Sequence, residues 1–279
     1  MKAKKIVLLI ALGVLLAGFL LWAVGAALGA KTLYLQNGEL TVGDQPMGGF
    51  SIGSDVSVAA SSKEGVAGLP QQMQVSRLKL LPDVGDLTVQ PGDGWDLSYD
   101  LRYPERLHWS VEDGTLTVEY DYPEGEYSNV SIEDTITLTF PKGLELEQME
   151  VESGMGSVEV QGITAQQMEL SGGMGDFDAT GINAAQRLYV DAGMGDVDIS
   201  GSFGGEVELN CGMGSVNLEV QGASREDFDY DLDVGMGSLS VEGMEVDGFL
   251  GGEYKTSDGK DRSITVDGGM GDVKISFAE

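Results

Sequence analysis

The 279 residues carry 46 Asp+Glu against 16 Lys+Arg, a formal net charge of −30. That charge disfavours nucleic acid and anionic lipid surfaces as partners, because like charge repels at long range, and it favours cations or basic protein faces. An apolar content of 42% excludes a generally disordered chain, and 42 glycines without a Gly-X-Y period exclude collagen and point to repeated turns.

Residues 1–5 form a basic tail, with Lys2, Lys4 and Lys5. Ile6 to Leu28 then run for 23 residues without a charge, enough at about 1.5 Å per residue to cross a hydrocarbon core of roughly 30 Å. The expectation is a transmembrane helix over 6–28, with Trp22 near its outer end. The lysines hold the tail in the cytoplasm and everything after Lys31 is exported. A cleaved signal peptide would have an apolar core of about 7–15 residues, and Ala27-Leu28-Gly29-Ala30 is a poor cleavage site. Residues 29–74 are weakly patterned and read as a stalk or linker with one short strand pair. The lone Cys211 excludes an intramolecular disulfide and a Cys-based zinc or redox site.

Residues 75–279 are read as the ectodomain, with regular repeats from 149. Six segments align without gaps, beginning at Met149, Met168, Leu188, Val207, Tyr230 and Ile264, each with a central Gly-Met-Gly. Their first glycines, Gly154, Gly173, Gly193, Gly212, Gly235 and Gly269, are spaced 19, 20, 19, 23 and 34 residues apart. The two longer intervals hold polar insertions around Ser224–Asp229 and Gly251–Arg262, read as loops. Apolar residues alternate before each motif, as in Met149 and Val151, and again after it, as in Val158 and Val160, on the opposite parity. A flat strand would turn the second set to solvent. The second glycines, Gly156, Gly175, Gly195, Gly214, Gly237 and Gly271, complete a doublet that can bend the chain and shift the phase by one residue. Gly-Met-Gly is therefore read as a structural corner. A further corner lies at Gly162-Ile163-Thr164-Ala165 and Gly181-Ile182-Asn183-Ala184, too short for a crossover helix. The fold expected is all-β: a right-handed, single-stranded parallel β-solenoid of about 19–20 residues per rung. Its terminal rung near Phe277 would present an open edge.

Upstream, Leu78-Lys79-Leu80 with Val84-Gly85-Asp86-Leu87-Thr88-Val89 reads as a degenerate copy, followed by strands at Thr115–Val118 and Thr135–Leu138. The stretch Leu78–Asp93, the run Ile136-Thr-Leu-Thr-Phe-Pro-Lys-Gly143 and the serial Gly-x-Gly rungs together resemble the adhesin-type "toastrack" β-solenoid domains of bacterial membrane-anchored surface proteins, over Val75 to Phe277. The resemblance implies a binding or scaffolding ectodomain, with adhesion as the family label. Some relatives accompany envelope-stress systems, so an accessory or sensor role is the alternative. It implies no catalytic residues and no enzyme.

Three sharper chemistries can be weighed on the residues. The stacked methionines Met155, Met174, Met194, Met213, Met236 and Met270 admit a soft-metal reading, against which a flexible side chain filling an irregular corner accounts for the column. A cation site, with Ca2+ as the ion, is placed at Asp176, Asp178, Asp196 and Asp198, where carboxylates of adjacent rungs stand about 5 Å apart and repel; the alternative is that they cap turn amides. The calcium nonapeptide register itself fails at Phe177, Val197 and Val273. A glycan-active β-helix enzyme would need placed carboxylates in a groove, and the single His108 has no nucleophile motif near it. No cofactor is expected. The partners expected are the bilayer, through residues 6–28, and a protein or glycan surface.

Overall fold

The computed structural model describes residues 63–123, 133–246 and 252–278, together with the backbone of a separate antiparallel pair, β1 (Thr32–Gln36) and β2 (Glu39–Gly43). That pair belongs to a first unit, Met1–Ala59, and the rest to a second, Ala60–Glu279. The apolar segment 6–28 lies outside the described residues. Among those described, no helix is long and apolar enough to cross a membrane.

The second unit is all-β, one strongly curled and solenoid-like sheet. Its central rungs follow the sequence repeat. β10 (Glu145–Met155) turns into β11 (Val158–Gln161), β12 (Thr164–Met174) into β13 (Phe177–Met194), and β13 into β14 (Val197–Phe203). β15 (Glu206–Met213) and β16 (Val216–Gln221) form the next rung. Each stacks in parallel on the one before: Met149 faces Met168, Met168 faces Leu188 and Leu188 faces Val207. Side chains entering the core come from three short sides of a rung. In the first these are Met149 and Val151, Val158 and Val160, and Ile163 and Ala165, all buried. Fully burying a side chain of this size contributes about 1.5–3 kcal/mol. The five larger ones, with the small Ala165, give on the order of 10 kcal/mol, less than the 1–2 kcal/mol per residue, roughly, that ordering some twenty backbone residues costs. A rung therefore persists only between neighbours that share its hydrogen bonds and cover its core.

The ends of the stack depart from chain order. β4 (Arg77–Pro82) and β5 (Asp86–Gly92) form a rung in register with β10 and β11. The next rung in sequence, β8 (Thr115–Tyr120) with β9 (Thr135–Pro141), lies on the far side of β4 and β5. At the other end, β17 (Phe228–Met236) and β18 (Leu239–Val241) do not pair with β15 and β16. The last rung, β21 (Arg262–Met270) with β22 (Val273–Ala278), enters between them: Val207 faces Ile264, and Ile264 faces Tyr230. The first and last rungs of the sequence are thus each one layer in from the end of the stack.

Two expectations are corrected by this. The rung near Phe277 is not terminal, because β22 pairs with β16 on one side and β18 on the other. The sheet is also not parallel throughout. Antiparallel strands close both ends: β6 (Asp96–Leu101) on β9, β3 (Lys63–Ala67) on β6 and β7 (Leu107–Glu112) on β8 at one end. At the other, β19 (Met244–Val246) lies on β18 and β20 (Gly252–Lys255) on β17. The stretch after Val241 is therefore partly strand rather than only loop. The outermost parallel ladders are thus covered by short antiparallel strands.

Candidate functional site

The corners set which side chains reach solvent. The second glycine of every motif has a positive φ, from +132° at Gly156 to +146° at Gly237, and so does Gly85 in the degenerate copy, at +111°. A Cβ on any of the six would come within 2.2 Å of a carbonyl oxygen in the adjacent rung. The first glycine lacks the unusual φ but not the contact: a Cβ on Gly193 would lie 2.5 Å from the Gly173 oxygen. Only glycine satisfies both positions while rungs stack this closely. Burial changes parity across the corner, Val151 and Ser153 inward before it, Val158 and Val160 after it. Cys211 sits inside one corner, buried, with its thiol pushed up in pKa by burial and then by the Asp196 charge.

Outward positions form columns because every rung repeats. Just after the corner, a carboxylate accepts from the backbone N–H of the neighbouring rung: Asp86 from Ser157 (2.8 Å), Asp176 from Asp196 (2.8 Å), Asp196 from Ser215 (2.7 Å) and Asp272 from Ser238 (2.8 Å). Ser238 also donates its hydroxyl to Asp272, and these bonds hold that carboxyl below its ordinary range. Two residues on, Glu159, Asp178, Asp198, Asn217 and Lys274 line up across adjacent strands. Asp178 accepts from the Thr180 hydroxyl and Asp198 from the Asn217 amide. The four aspartates singled out from the sequence thus occupy two neighbouring columns, each engaged by an amide or hydroxyl. Among the described residues no group of three or more His, Cys, Asp or Glu is arranged to hold a metal ion.

Two shallow grooves follow these columns. One, of about 410 Å³, is lined by Asp178, Asp198, Asn217, Glu219, Lys274 and Ser276. The other, of about 640 Å³, runs beside the corners and is lined by Asp83, Glu119, Asp121, Glu152 and Asp191. Cations are sparse on this surface. Lys79 donates to Glu150 at 2.6 Å, Arg187 reaches Glu208 at 2.9 Å and Glu206 at 3.6 Å, and Lys255 pairs with Asp231. His108 is exposed on β7, an edge strand.

Periodicity gave no sign of two other arrangements. Asp134, between β8 and β9, is buried, accepts from the Tyr120 hydroxyl at 2.7 Å and from the Arg102 N–H at 2.9 Å, and fastens the outermost rung. Burial and the Asp134 charge raise the Tyr120 pKa. Asp229 accepts the N–H groups of Asp258, Gly259 and Lys260, pinning the second insertion, and these bonds lower its pKa. Both depend on contacts across loops that no local pattern encodes.

No curated protein matches the chain. Among solved structures, it is similar to a candidate cell adhesion protein from Clostridium sporogenes, at 17% identity and a TM-score of 0.46, over 78% of this chain and 100% of that one. A candidate adhesin from Bacteroides fragilis matches at 13% identity and a TM-score of 0.34, over 77% and 96%. A candidate lipid binding protein from Parabacteroides distasonis matches at 12% and 0.30, over 78% and 97%. The family model described as Toastrack DUF4097 matches residues 75–279, the stretch that holds every rung of the stack, and the chain belongs to that family.

Proposed function

We propose that the chain is a membrane-anchored extracellular scaffold whose right-handed solenoid binds a protein or glycan surface through repeated columns rather than through one pocket. The observation that carries the reading is the register itself. Equivalent outward residues recur on adjacent rungs across the stack, and both grooves are shallow, open and rich in carboxylates. Such a surface suits a long, repetitive or basic partner, held by many weak contacts, better than a small substrate held in a closed site. Catalysis has no support in the arrangement: in the 410 Å³ groove Asp178 accepts from Thr180 on its own strand and Asp198 from Asn217 on the next rung. Residues 6–28 supply the anchor, with the N-terminus in the cytoplasm and the solenoid outside the cell.

Photo-crosslinkers placed at Asp191 and Asn217, one beside each groove, test this on intact cells. Recovery of one extracellular protein or glycan class from both positions is expected. Protection of the solenoid from external protease, or capture of cytoplasmic proteins only, would refute the topology. Turnover of a glycan by the purified chain would replace the scaffold reading with an enzymatic one.

A further inference from the structure

Of the six corner methionines only Met155, half-buried, packs against the core, and the fold does not use the side chains of the other five. Joining is done by backbone: the N–H of Gly156 donates to the Met174 carbonyl at 2.8 Å, and Gly175 to Met194, Gly195 to Met213, Gly214 to Met270 and Gly271 to Met236 do so at 2.9 Å. Packing does not need them either. Met174, Met194, Met213, Met236 and Met270 are 44%, 40%, 41%, 49% and 47% exposed, whereas Met149 and Met168, which do fill the core, are at 0% and 1%. Corner filling therefore does not explain the column. On a surface this acidic an exposed side chain would ordinarily be polar, yet these five copies place a thioether there, in line with the half-buried Met155.

The six stand in one unbroken file. Met155 faces Met174, then Met194, Met213, Met270 and Met236 in turn, at the strand spacing of about 4.8 Å. A metal–sulfur bond is about 2.3 Å, so two thioethers in line on one ion stand about 4.6 Å apart, a separation that flexible methionine side chains on backbones about 4.8 Å apart can reach. Carboxylates flank it on both sides, Glu152, Asp191 and Asp267 before the corner and Asp176, Asp196 and Asp272 after it. They attract cations. Thioether sulfur is a poor ligand for hard Ca2+ or Mg2+ and selects soft ions, Cu(I) above all. A purely apolar partner would be served as well by leucine, so sulfur is the distinguishing property.

We infer that the file from Met155 to Met236 binds a soft monovalent metal ion, Cu(I) or its chemical analogue Ag(I), through thioethers contributed by adjacent rungs. This goes beyond the scaffold reading and does not depend on it. The test uses the full chain in detergent with Cys211→Ala, so that the buried thiol cannot compete, and methionines labelled with 13C at the ε-methyl. Titration with silver nitrate in chloride-free buffer should shift the exposed methyl signals saturably and leave those of Met149 and Met168 in place. The triple variant Met174→Leu, Met194→Leu, Met213→Leu keeps the apolar surface and removes the sulfur, and silver affinity should fall at least tenfold. If that variant does not fold, the pair Met236→Leu, Met270→Leu at the other end should lose its share of bound silver. Absent methyl shifts in excess silver, or undiminished binding in folded leucine variants, overturns the inference and leaves the file an apolar surface.

Discussion

Gly195 and Gly181 both hold a positive φ, +141° and +63°, but a Cβ on Gly195 would lie 2.0 Å from the Gly175 oxygen while one on Gly181 would meet nothing within 4 Å. Gly181→Ala should cost only the left-handed penalty, about 1–2 kcal/mol. Gly195→Ala adds displacement of a neighbouring rung and should cost about 3 kcal/mol or more. Denaturant unfolding of the two variants separates them; equal losses would mean that close stacking does not select the corner glycines. Asp229 makes a second prediction at this scale. Its folded pKa is lowered, first by the Asp258 N–H, so its hold on the loop is complete above the ordinary aspartate value of 3.8 and is lost as pH falls through the lower folded value. The amide signals of Asp258, Gly259 and Lys260 should titrate together, with a midpoint below 3.8, and Asp229→Ala should abolish the common transition.

Elements at the C-terminal end depend on one another in an order that reverses the sequence. Among the described residues β17 and β18 have no parallel partner except β21 and β22, which arrive later in the chain. Without that rung, Phe228, Tyr230, Leu232 and Val234 lose the neighbour that covers them. A chain ending at Asp261 should therefore unfold from Phe228 onward, and trypsin should cut at Lys255, which pairs with Asp231 in the intact chain. Pulsed hydrogen exchange during refolding should show protection in β17 appearing no earlier than in β21. Protection of β17 in the shortened chain would show that it stacks elsewhere, on β15, as simple chain order would have it.

At the scale of the molecule the net charge of −30 is spread over stacked rungs whose carboxylates form columns, with few ion pairs among the described residues to offset them. Repulsion between like charges one rung apart lies within the Debye length, about 10 Å at 0.1 M salt, and screening relieves it. The melting temperature should rise as NaCl is increased from about 10 mM to about 300 mM. A fold held by its salt bridges would respond in the opposite direction, and a fall would assign the columns that role.

Much of the architecture is legible in the sequence. The parity switch from Val151 to Val158 marks a corner because inward side chains have a period of two along a strand, and glycine doublets are needed wherever that period slips by one. The degenerate copy at Leu78–Val89 was readable for the same reason. The order of the end rungs was not. All rungs present the same backbone ladder and similarly spaced apolar side chains, so the sequence of one rung does not say which free edge it will meet, and long-range pairing across the insertions decides that. The exposure of the methionines was hidden likewise: spacing places Met213 between two glycines, but only the φ of Gly214 and the approach of the next rung turn its side chain outward.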